Sequence, residues 1–252
     1  MHKKSSYVLT IDPIAMERCF LVGEILADDY EQPYLEYGLI GLAAKSEPLH
    51  VVATPLLPGQ HVTGASVHQA GRDVLRLRRE SQRLSERLGV TLVPIAFVHR
   101  HPIGCDVMSS VDEEFLLGPL VDQVATVIVL SEKRLVRRGE FDCDCWKTKH
   151  PYKRGGNART SRGTVRVEHG VAFSIIVSTF GDRMFSVHSA QKQWCPWCHR
   201  SVVRLVPAEL HISPNRQLTA GERHKLRRAL EIEIEAKLAF DPRPLGIAGE
   251  SS

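Results

Sequence analysis

The chain has 252 residues, 33 Lys and Arg against 29 Asp and Glu for a formal net charge of +4, and 43% hydrophobic residues. That apolar share supports a substantial core, while no apolar run nears the roughly 20 residues of a membrane-spanning helix. The modest charge argues against a general nucleic-acid binder, and Met1-His-Lys-Lys-Ser-Ser has no apolar stretch behind it, so a cytoplasmic location is expected.

One domain with appendages is expected, with residues 1–6 and 241–252 reading as disordered ends. In chain order, Tyr7–Ile11 reads as a strand. Asp12-Pro13 then supplies an N-cap and a first-turn proline for a helix over Pro13–Asp29 that carries Ile14, Met16, Cys19, Phe20 and Leu26, with Cys19 simply core. The run from Tyr34 to Ala44 is apolar and strand-like, so the acidic Glu36 within it is out of character unless a site requires it. A second helix is drawn by Val67, Ala70, Val74, Leu77, Leu84 and Leu88 at steps of three and four, with Gly89 as its stop and an Arg-rich solvated face.

Val93–Val98 reads as a buried strand closed by His99-Arg-His101-Pro102; the two histidines share a face and Pro102 turns the chain out of the sheet. Six residues later, Ser109-Ser-Val-Asp112 is built to cap a short helix, so a strand end and a helix start converge. Two imidazoles and a carboxylate suit zinc, and three protein ligands leave a fourth position for water, the pattern of a hydrolytic site. Water held there still needs a base, and Glu36 is the candidate.

After Gly118-Pro119, Val124–Leu130 reads as a buried strand and Val171–Ser178 as another, with a basic insertion over about 139–168 between them. The insertion brings Cys143-Asp-Cys145-Trp146, then Lys147, Lys149, Lys153, Arg154, Arg159, Arg162 and Arg166. Cys143 and Cys145 look forward to Cys195-Pro-Trp-Cys198, and two close thiol pairs suggest a closed structural zinc site, with His150 or His199 able to replace one thiolate. Unligated thiols are the alternative, and a thioredoxin-like reading of Cys195–Cys198 lacks a surrounding βαβ unit. The basic cluster, with Lys133–Arg138, reads as a solvated loop or as attraction to an acidic protein partner or to nucleic acid, and no aromatic stacking pattern favours RNA or single strands. Near the end, Thr219-x-x-Glu222 forms a capping box for a charged helix to about Ala239, with Leu226, Leu230, Ile234 and Leu238 on one stripe.

Glu36, His99-x-His101-Pro102, six residues and Ser109-x-x-Asp112 together resemble the JAMM motif of MPN/JAB-domain zinc metalloproteases, and the element order over residues 7–190 is similar to that fold. The resemblance implies an α/β, cytidine-deaminase-like mixed sheet flanked by helices. It implies that His99, His101 and Asp112 bind zinc, that Glu36 is the general acid/base and that Ser109 stabilises the oxyanion. It further implies a peptidase or isopeptidase acting on ubiquitin-like proteins or their conjugates, beside activating and conjugating enzymes, in a small stand-alone prokaryotic member. The sequence departs at Arg100, where that family usually has Ser or Thr; since strand neighbours alternate, the residue is expected to point away from the metal face. Gly38-Leu39 also stands where relatives often have two glycines. Two other readings share the fold: a RadC-like protein in DNA metabolism, and a scaffold with a vestigial site.

Overall fold

The computed structural model describes residues 6–57, 60–62, 67–68, 73–101, 108–125, 128–136, 140–143, 145, 164–179 and 181–240, with the backbone alone at 61–62, 67–68, 73–78 and 239–240. The expected disordered ends, Pro102, Cys105, Trp146 and the basic run from Lys147 to Arg162 lie outside the described residues, apart from Ser6.

Strand β1 (Tyr7–Ile11) leads into helix α1 (Pro13–Asp28), whose N-cap Asp12 accepts a hydrogen bond from the Ile14 amide at 2.7 Å. Pro13 takes the position where a missing N–H leaves no helix hydrogen bond unmade. The helix is buried on most sides, through Ala15, Met16, Cys19, Leu21, Val22, Ile25 and Leu26, whereas Ile14 is 40% exposed. Its other neighbour is α5 (Ala220–Lys237), which starts on the expected Thr219–Glu222 capping box and buries Leu230 and Ile234. Charged pairs zip the two helices together: Arg223 bridges Glu17 and Glu24, and Arg227 reaches Asp29.

The main sheet joins β1, β2 (Gly38–Ala44), β3 (His50–Ala53), β6 (Leu92–Arg100), β7 (Leu130–Arg134), β8 (Val165–Ser178), β9 (Met184–Trp194), β10 (Ser201–Val206) and β11 (Ala208–Ile212). Its order is β10-β9-β8-β6-β2-β3-β1-β11, with β7 added on β8, and it mixes parallel and antiparallel pairs. The two edge strands β10 and β11 are separated in sequence by Pro207 alone, so the sheet must curl until its ends nearly meet. Tyr7 N donates to Pro207 O at 3.0 Å, and Gln191 of β9 donates to the Tyr7 hydroxyl. A small sheet of β4 (Gln60–Val62), β5 (Val67–His68) and β12 (Leu238–Phe240) stands beside it. The fold is therefore mixed α/β, a large mixed sheet flanked by helices, and no helix among the described residues is long and apolar enough to cross a membrane.

Several sequence expectations shift. Strand β2 begins at Gly38, so Glu36 precedes the strand instead of lying inside it. Helix α2 (Asp73–Leu88) starts later than the apolar spacing suggested, with Val67 in β5, and it ends as expected at Gly89, whose φ of 67° is the left-handed conformation glycine adopts freely. The expected strand Val124–Leu130 is not found among the described residues: Val124 ends a helix, and only Leu130 is extended, as the first residue of β7. Helix α3 (Ser110–Phe115) passes through a π-helical turn (Leu116–Leu120) into α4 (Val121–Val124), and Val121 and Val124 are buried from that helix. A π turn accommodates Pro119, whose nitrogen has no proton for a regular helical hydrogen bond. Arg166 belongs to β8, so the insertion ends before the expected 168. Strands β9 to β11 and α5 complete the same sheet and core.

Candidate metal centre

β6 pairs in register with β8, which in turn pairs with β9, so His99 lies beside Ile176 and Ile176 beside Ser186. Residues paired across a sheet face the same side. His99 and His101 therefore project from one face of β6, and Arg100 from the other. α3 and α4 cover the histidine face. They approach it closely because Gly170 of β8 has no side chain: a Cβ there would sit 2.2 Å from Ala125 O. On the far face, α1 comes down on Arg100, 3.0 Å from where a Cβ on Gly23 would be.

Ser109 is the N-cap of α3. Its hydroxyl accepts from the Asp112 amide at 3.2 Å and donates to Asp112 Oδ2 at 2.6 Å, while its own amide donates to the same oxygen at 3.1 Å. That capping box fixes the carboxylate against the histidines. His99 Nε2 and His101 Nε2 are 3.1 Å apart, His99 Nε2 is 3.2 Å from Asp112 Oδ1, and His101 Nε2 is 3.2 Å from Asp112 Oδ2. Ligands about 2.0 to 2.1 Å from a tetrahedral ion stand about 3.3 Å from one another. The triangle is thus of the size such an ion needs, and the three residues can hold a metal. Phe97 stacks on the His99 ring at 5.3 Å and meets Phe115 edge-on at 5.3 Å, bracing the strand against the helix.

Electrostatics favour the ligand forms. Burial lowers the pKa of His99 and so favours a neutral imidazole. Burial would raise the Asp112 carboxyl, but hydrogen bonds from His101 and His99, the His99 charge and the Ser109 hydroxyl together hold it well below the usual range.

Glu36 reaches this site by register. Gly38 pairs with His99, and Arg100 N donates to Tyr37 O at 3.1 Å, which sets Glu36 opposite His101 on the metal face. Its pKa is raised, by burial first, with His101 opposing and Asp112 adding to the shift. The segment is held on both sides. Gln60, buried, bonds to Gly38 N and Gly38 O at 2.7 Å each, in the manner of a neighbouring strand.

His188 of β9 was not found from sequence. It pairs with Ser174, two residues from the Ile176–Ser186 pair, so it faces the same side as His99. Its pKa is lowered by burial and then by the charge of His99, with His101 acting the same way and Asp112 opposing, and its Nε2 lies 3.2 Å from Ser186 Oγ. Only the alternation Ser186-x-His188 hinted at a shared face, and nothing in the sequence tied that strand to β6.

The four cysteines expected to form a second site also come together. The Sγ atoms of Cys143, Cys145, Cys195 and Cys198 lie within 4.8 Å of one another: 3.1 Å for Cys143–Cys145, 3.2 Å for Cys145–Cys195 and 3.6 Å for Cys143–Cys195. These separations far exceed a disulfide bond of about 2.05 Å and come near the roughly 3.8 Å edge of a tetrahedral zinc-thiolate site. The Cys195–Cys198 turn folds back on itself through Cys195 N to Arg200 O at 2.7 Å and His199 N to Cys195 O at 3.0 Å, with His199 at a positive φ of 59°. The Arg200 amide donates to Cys198 and brings its thiol down to about 7, as a metal ligand requires. Cys143 and Cys145 are raised, by desolvation first; Cys195 and Cys198 add to both shifts, while Cys145 opposes that of Cys143. Phe141, Val167 and Cys195 form a small core beneath the cluster.

No protein-family model and no curated protein matches the chain.

Proposed function

We propose that the protein is a zinc-dependent peptidase or isopeptidase of the JAMM/MPN type, with His99, His101 and Asp112 as ligands. The observation that carries this reading is the triangle of ligand atoms 3.1 to 3.2 Å apart with Glu36 opposite His101. Bound there, zinc supplies Lewis-acid chemistry that brings the pKa of water towards about 7. Glu36 takes the proton of the attacking water and delivers it to the amine that leaves as the amide bond breaks. Its raised pKa suits both halves of that transfer. Ser109 orients Asp112, and its hydroxyl proton is committed to that carboxylate. The four-cysteine cluster takes a second, structural zinc that ties the insertion to the Cys195–Cys198 turn.

The substrate class rests on the resemblance of Glu36, His99-x-His101-Pro102 and Ser109-x-x-Asp112 to that family: a ubiquitin-like protein joined through its C-terminus, cleaved in maturation or deconjugation. Ubiquitin-like proteins carrying a C-terminal fluorogenic amide test it. Wild type releases the fluorophore, and Glu36→Gln releases it at least a hundredfold more slowly. Equal rates in the two proteins contradict the reading.

A further inference from the structure

We propose that Arg100, the residue between the two histidines, is a positioning residue that holds Glu36 at the metal centre; this rests on the hydrolase reading above. Arg100 is 1% exposed, and no carboxylate bonds to it among the described residues. A buried guanidinium without a counter-charge is a liability for stability, and a leucine would fill the space more cheaply. Its hydrogen bonds show what it does. Nη1 donates to Leu35 O at 3.1 Å, and its backbone N donates to Tyr37 O at 3.1 Å. The carbonyls on either side of Glu36 are thus both held by one residue whose own two neighbours are the histidine ligands. Ligands and base therefore move as one body.

The surroundings close on this clamp. Tyr37 is fully buried, and its hydroxyl donates to Cys19 O of α1. Gly23 of the same helix lets α1 approach: a Cβ there would lie 3.0 Å from Arg100 Nε and 3.1 Å from the Tyr37 hydroxyl. Serine or threonine at position 100 is too short to reach Leu35 O, so this chain carries a connection between metal strand and base that a small residue does not make.

Azide binding to the cobalt-loaded protein tests the clamp without any substrate. The azide-dependent change in the visible spectrum reports a metal with an exchangeable position, and a nearby carboxylate repels the anion. Glu36→Gln tightens azide binding about fivefold. Arg100→Leu, by letting Glu36 swing away, tightens it to a similar degree, and Arg100→Lys, which keeps a donor for Leu35 O, restores the wild-type affinity. A residue that merely supported the fold would leave azide affinity unchanged or weakened. Arg100→Gln, too short for Leu35 O, gives the same comparison if the leucine variant does not fold. Wild-type affinity in Arg100→Leu or Arg100→Gln, with Glu36→Gln tightened, overturns the clamp alone. No change in Glu36→Gln overturns both the clamp and the hydrolase reading on which it rests.

Discussion

Gly170→Ala ties the packing of the sheet to the metal centre. An added Cβ would lie 2.2 Å from Ala125 O, 2.5 Å from its Cβ and 2.6 Å from its Cα, against ordinary contact from 3.4 Å outwards. The obstacle includes backbone, so no rotamer relieves it, and α4 must move by about 1 Å. α4 is continuous through the π turn with α3, which carries Asp112. Overpacking a core by one methyl group costs about 1 to 3 kcal/mol, and a clash with backbone belongs at the upper end. About 3 kcal/mol corresponds to a fall in Tm of roughly 6 to 12 °C for a chain of this size. The displaced Asp112 should weaken zinc binding about tenfold in competition with a chromophoric chelator. Gly221→Ala is the control, because its Cβ meets nothing within 4 Å and it lies in the first turn of α5. A Gly170→Ala protein within 2 °C of wild type and with unchanged zinc affinity would refute the argument that this glycine sets the approach of α3 and α4.

Other outcomes follow from single residues. Glu233 accepts from Arg18 at 2.6 Å, Lys237 at 3.0 Å and Leu56 N at 3.0 Å, and despite burial the charges and hydrogen bonds of Arg18 and Lys237 lower its pKa. A lowered folded pKa gives stability that is fully present above the unfolded value of about 4.3 and is lost as pH falls through the folded value. Glu233→Gln should therefore cost about 2 kcal/mol in urea unfolding at pH 7 and progressively less below pH 4; a penalty independent of pH would contradict the pairing. Cys195→Ser should remove one zinc equivalent and lower Tm, while leaving the His99 site loaded. Unchanged stoichiometry would discard the cysteine site.

The parts of the fold legible in sequence were those whose signal is local. Asp12-Pro13 and the Thr219–Glu222 capping box marked helix starts, because a cap is a contact among neighbours in the chain. The pairing of His99 and His101 with Asp112 was legible because strand alternation and an N-cap fix three side chains from short spacings. What escaped depended on distant partners. Val124 was expected to open a strand, yet the helix continuing from α3 claims it. β9 carries Gln191, Lys192 and Gln193, and its polar appearance hid a strand whose glutamines are buried where the sheet curls back towards Tyr7. Arg100 was expected to point away from the metal, and it does; its grip on Leu35 O needed the β2–β6 register, which no local pattern encodes.

Zinc content per chain, measured by elemental analysis on wild type, Asp112→Ala and Glu36→Gln, tests the central claim most directly. The account predicts one equivalent fewer in Asp112→Ala than in wild type and no loss in Glu36→Gln, because Asp112 is a ligand and Glu36 a base. An Asp112→Ala protein that keeps the full wild-type zinc content would contradict it.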